Sequence, residues 1–178
     1  MSDAARTTLP ATGRRPHVVV MGVSGSGKST IGALVAADLA VPFVDGDSLH
    51  PLTNVEKMAA GRPLDDADRW PWLRTVGRAL AAAGDGGLVL ACSALKRSYR
   101  DAIRAEDPDA IFLHLQGERS VLRRRIESRR DHFMPASLLD SQFAALEEPA
   151  ADEPAVVVDV DADVSAVVDA AVRGIRAI

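Results

Sequence analysis

Short apolar runs alternate along the chain with longer stretches whose apolar positions recur at helical spacing. Residues 17–22, HVVVMG, read as a buried strand, β-branched and ended by glycine. Residues 41–47, 87–94, 110–117 and 155–160 give four more strands. Helices are predicted over 28–40, 66–84, 95–107, 118–130, 135–149 and 163–178. In the stretch 66–84, Pro71 lies near the front and Gly84 at the end, the order a helix tolerates. Five apolar strands separated by helices imply a parallel sheet covered on both faces, a three-layer α/β/α fold with right-handed crossovers. The pattern does not fix the strand order. No repeat or long linker divides the chain, so residues 16–178 form one domain behind a disordered polar tail, 1–15.

The first strand runs directly into Gly22-Val23-Ser24-Gly25-Ser26-Gly27-Lys28-Ser29, which fits G-x-x-x-x-G-K-[ST] at every position. A strand precedes it and a helix follows, as a phosphate-binding loop (P-loop) requires. Its glycines let backbone N–H groups turn toward a phosphate, and the helix N-terminus adds its dipole. Lys28 can reach the β- and γ-phosphates, and the Ser29 hydroxyl can ligate Mg²⁺. Residues Gly22 to Thr30 are therefore the expected nucleotide site. A dinucleotide fingerprint fails, because Thr30 stands where its third glycine belongs. A guanine-reading Asn-Lys-x-Asp is absent, and so is an acid closing the strand LVLACSA, which ends on Cys92 and Ser93. Switch and motor readings therefore lose ground. The acids lie instead at Asp45 and Asp47, after the second strand. Strand carboxyl ends line the ligand crevice of such a sheet, so both can face the loop, one near the metal and one accepting a proton from a substrate hydroxyl. The plain alternative is a solvated acidic turn.

Composition narrows the class. The 178 residues are 47% apolar, with net charge −4 and pI near 5.5, which argues against a general nucleic-acid binder. Cys92 is the only cysteine, which suits a reducing compartment. No apolar run approaches the ~20 residues of a membrane span, and the first residues lack the apolar core of a secretory signal. The expected location is the cytoplasm.

The loop block MGVSGSGKST is generic, but three others are specific: FVDGDSLHP followed by EKMAAGRPLDDADRWPWL, CSALKRSYRD, and HFMP followed by LLDSQFAALEEP. Together they resemble the gluconokinases, a shikimate-kinase-like group of P-loop kinases, over residues 17–161. The resemblance implies strand order 2-3-1-4-5, a helical lid at about 124–137, and ATP and Mg²⁺ as cofactors. It implies phosphorylation of D-gluconate at its 6-hydroxyl, giving 6-phospho-D-gluconate; such enzymes are often homodimers. Asp47 matches the acid that touches the acceptor hydroxyl, and Asp45, with Ser29, the metal side. Arg125 and Arg129 match arginines at the start of the lid. His50, Lys57, Ser93, Lys96 and Arg100 are expected around the acceptor.

Residue chemistry agrees with part of this. Lys28, Lys57 and Lys96 are the only lysines, and all fall in these blocks. A compact ammonium is not interchangeable with a planar guanidinium. Lys96 and Arg100 stand four apart on one predicted helix, as do Arg125 and Arg129, so each pair shares a face. The competing explanation is a solvated basic surface. His132 and Gln142 are expected as lid or substrate contacts. His17, His114, Trp70 and Trp72 are expected in structural roles. Two rival functions stay open: a kinase of another small hydroxy acid such as shikimate, and a nucleotide sensor without transferase activity.

Overall fold

The computed structural model describes residues 13–128 and 136–178. Five strands, β1 (His17–Met21), β2 (Phe43–Asp45), β3 (Leu88–Ala91), β4 (Ile111–Gln116) and β5 (Ala155–Asp159), form one parallel sheet in the order β2-β3-β1-β4-β5. The connecting helices are α1 (Lys28–Leu39), α2 (Leu52–Ala59), α3 (Asp66–Ala83), α4 (Arg97–Glu106), α5 (Arg119–Glu127), α6 (Ala136–Ala145) and α7 (Val164–Arg176).

The alternation of β1 divides the core. Val18 and Val20 point to one face of the sheet and pack with Val35 and Leu39 of α1 and Ala171 and Ile175 of α7. Val19 and Met21 point to the other and pack with Leu73, Val76 and Leu80 of α3 and Ile103 of α4. Each fully buried aliphatic side chain contributes roughly 1.5–3 kcal/mol, so both helical layers are firmly held. The three-layer fold and the strand order are as expected.

Four local differences from the expected elements bear on the site. The second strand stops at Asp45 and gives way to a 3-10 turn, Gly46–Leu49. A Cβ at residue 46 would lie 2.3 Å from the Ala91 carbonyl oxygen, so glycine is what lets this turn press against the end of β3. The third strand ends at Ala91 rather than at 94, and Ala94, at φ 42°, redirects the chain. Helix α2 falls in a stretch for which no element was expected. Its Leu52, Val55 and Met58 recur every three residues yet are largely exposed, so the usual burial signal is weak. The predicted helix 135–149 is shorter, because Glu147 leaves the helix and its N–H donates to the Leu95 carbonyl.

Candidate active site

The phosphate loop links β1 to α1 and lies at the carboxyl edge of the sheet. Gly27 caps α1 in a left-handed conformation, φ 91°, which a side chain would disfavour. Gly25, also left-handed at φ 81°, lies against α5: a Cβ there would meet Ile126 Cγ1 at 2.8 Å. Ser24, Gly25, Lys28, Ser29 and Thr30 line a cleft of about 640 Å³ together with Asp45, Asp47, Met58, Cys92, Ser93, Ile126 and Gln142. Loop, acids and the end of β3 thus share one cavity.

Asp45 is the hinge of the acidic side. Its Oδ2 accepts the Ser29 hydroxyl at 3.0 Å, and its Oδ1 accepts the Asp47 backbone N–H at 3.0 Å. Asp47 reaches the cleft from the 3-10 turn that follows β2. The turn is held from below: Trp72 Nε1 donates to the Gly46 carbonyl at 2.8 Å, and Trp72 stacks on His50 at 4.0 Å between ring centroids. Burial lowers the His50 pKa, partly opposed by the field of Asp47. A neutral imidazole fits its contact with Asn54, whose Nδ2 donates to His50 Nδ1 at 3.2 Å.

Both lysines outside the loop are tied to acids at the start of α3. Lys57 pairs with Asp68 and, at 3.5 Å, with Asp65; the hydrogen bond to Asp68 raises its pKa. Asp65 and Asp68 also form the capping box of α3. Lys96 Nζ donates to both oxygens of Asp66, at 3.1 and 3.2 Å, and these bonds raise its pKa. Asp66 also accepts the Tyr99 hydroxyl at 2.5 Å. That bond, and then Lys96, holds its carboxyl below the ordinary range. Asp47 and Ser93 line the cleft itself, whereas His50, Lys57 and Lys96 stand outside its lining. The acidic run DDAD carried the signal for these lysine partners, although pairing across segments is not legible from spacing.

Arg100 departs from expectation. It is fully buried; its Nε and Nη2 donate to Glu153 at 2.6 and 2.9 Å, and its Nη1 to the carbonyls of Ala94, Leu95 and Glu147. With those partners it braces the turn after β3 and does not line the cleft. Arg125 directs Nη2 to the Val160 carbonyl at 2.6 Å, away from the cleft lining. Arg129 and His132 lie outside the described residues, as does half of the expected lid, 129–135. His17 has a structural role: its ring bridges Asp107 at 2.7 Å and the Gly84 carbonyl at 2.8 Å. Trp72 is buried and Trp70 packs edge-on against Tyr99. Gln142 meets the loop itself, accepting the Ser24 N–H at 2.6 Å. Among the described residues no His, Cys, Asp and Glu cluster of three or more could hold a metal, and no helix is long and apolar enough to cross a membrane.

A phosphate loop on the central strand of a 2-3-1-4-5 parallel sheet, facing acids across one cleft, defines a P-loop kinase. The sequence matches the family described as Shikimate kinase over residues 24–173. The chain belongs to that family and, within it, to the gluconokinases, which phosphorylate an alcohol group. It is 43% identical to the thermoresistant gluconokinase of Escherichia coli (strain K12), over 94% of this chain and 98% of that protein. It is 46% identical to the gluconokinase of Gluconobacter oxydans (strain 621H), over 93% and 94%. The crystal structure of a gluconokinase from Sinorhizobium meliloti 1021 superposes with a TM-score of 0.83 at 46% identity, covering 90% of this chain and 91% of that one.

Proposed function

We propose that the protein transfers the γ-phosphoryl group of ATP to the 6-hydroxyl of D-gluconate, giving 6-phospho-D-gluconate and ADP. The observation that carries this reading is the shared cleft, with Lys28 and Ser29 on one side and Asp45 and Asp47 on the other. The gluconokinase relatives support the choice of acceptor.

The loop N–H groups and Lys28 hold the phosphates and neutralise their charge. Asp47 accepts the proton of the acceptor hydroxyl as its oxygen bonds to the γ-phosphorus. The bond from that phosphorus to the bridging oxygen breaks, and ADP leaves with the electron pair. The Ser29 hydroxyl and the Asp45 carboxylate are hard oxygen donors already 3.0 Å apart, which fits Mg²⁺. Bound there, the ion would offset negative charge on the phosphates. Ser93 offers a hydroxyl to the polyol, and Lys57 and Lys96, outside the cleft lining, are the cations proposed for its carboxylate, in competition with Asp65, Asp66 and Asp68. The proposed setting is cytoplasmic, with a small-molecule substrate.

The test is a coupled ADP-release assay with gluconate, shikimate and other sugar acids. Turnover should be highest with gluconate; turnover on another acceptor alone would overturn the assignment. Asp47→Asn should retain ATP binding and lose about 10²–10⁴-fold in kcat. A wild-type protein that binds ATP but phosphorylates no acceptor would favour the sensor reading.

A further inference from the structure

Helix α6 sends one side chain into the phosphate loop. Gln142 Oε1 accepts the Ser24 backbone N–H at 2.6 Å, and both residues line the cleft with Lys28, Ser29 and Asp47. An N–H offers only a proton, so the carboxamide must turn its oxygen toward Ser24. That fixes the other end of the group. The Nε2 donors are left for what enters the cleft, at the place where the loop meets phosphate oxygens.

The placement is braced on both sides. Asp140, one half-turn before Gln142, takes hydrogen bonds from Arg119 at 3.3 Å and from Arg123 at 3.3 and 3.4 Å, both on α5. Phe143 lies beneath the Arg119 guanidinium, 4.9 Å from its ring centroid. Ile126 of α5 in turn abuts Gly25. The loop is thus gripped between two helices that are bonded to each other, and Gln142 is the grip that carries polar donors.

We infer that Gln142 contacts the transferred phosphoryl group, its Oε1 held by the Ser24 N–H and its Nε2 donating to an oxygen of the γ-phosphate. This inference rests on the phosphoryl-transfer reading for its catalytic consequence, but its binding consequence stands apart from any acceptor. A donor fixed on the γ-phosphate distinguishes ATP from ADP. It also stabilises charge on the equatorial oxygens during transfer.

Two variants separate this role from a purely structural one. Gln142→Glu keeps an oxygen for Ser24 and exchanges the donors for an anionic oxygen. Gln142→Leu removes both. ATP and ADP affinities are read by calorimetry, kcat and KM by the coupled assay, and folding by thermal unfolding. Gln142→Glu should bind ADP within twofold of wild type and lose about ten- to hundredfold in ATP affinity and in kcat. The neutral Gln142→Leu decides the matter: a loss several-fold larger for ATP than for ADP supports the γ-phosphate contact, whereas equal weakening of ATP and ADP means that Gln142 only shapes the loop and overturns the inference. Should wild type phosphorylate no acceptor while Gln142→Leu still weakens ATP more than ADP, the proposed reaction falls and the γ-phosphate contact stands.

Discussion

Asp45 shows how much one carboxylate can organise. One oxygen takes the Ser29 hydroxyl and the other the Asp47 N–H, so the same group joins the proposed metal ligand Ser29 to the residue proposed as base. Asp45→Ala should therefore raise the Mg²⁺ concentration needed for half-maximal activity by about tenfold or more. It should also lower kcat at saturating Mg²⁺, because Asp47 loses its brace. A magnesium titration of both proteins checks this; an unchanged half-saturation would remove Asp45 from the metal side. Asp45 and Asp47 were legible as a pair because they follow a strand that ends at the crevice. Arg100 was not legible. Its four-residue spacing from Lys96 is real, yet Lys96 caps the helix and faces Asp66 while Arg100 turns inward to Glu153, fifty-three positions away. A sequence prints which residues share a helix face; it does not print which acid waits behind that face.

Among the elements, α4 and the segment entering β5 depend on each other most. Arg100 and Glu153 are side chains 0% and 3% exposed, paired at 2.6 Å, and Glu153 also accepts the Ala150 N–H. The hydrogen bond from Arg100 holds the Glu153 carboxyl below its ordinary value of 4.5. A lowered carboxylate pKa means that the unfolded chain binds the proton more readily. The pair's stabilisation is thus complete above about pH 4.5 and is lost as pH falls through the lowered folded value. Glu153→Gln leaves a buried guanidinium without its counter-charge and should cost about 3–5 kcal/mol at neutral pH. Denaturant unfolding between pH 3 and 8 checks both parts: the variant should be less stable at pH 7, and its acid-side slope should be shallower. Helices α1, α3, α4, α5 and α7 were readable because each buries side chains at helical spacing. Helix α2 was not, since only Asn54 is buried along it.

For the whole molecule, sheet and loop were the most readable features, because buried parallel strands and a phosphate loop each impose a composition on consecutive residues. Strand order came from family likeness, since the apolar runs resemble one another too closely to rank. The site's remote couplings, Gln142 to Ser24 and Lys96 to Asp66, join residues 118 and 30 positions apart and emerge only on folding. One product of that folding is the burial of Cys92, 3% exposed at the end of β3, with its thiol pushed up to about 12. At pH 8 about one molecule in ten thousand would carry a thiolate there. The native protein should consume no thiol reagent at that pH, and the denatured chain should consume one equivalent, which a chromogenic disulfide titration reads directly. The chain therefore comes with its own blank background for labelling: a cysteine placed on α5 or α6 would be the sole reactive handle, and a dye there would report nucleotide binding without first removing Cys92.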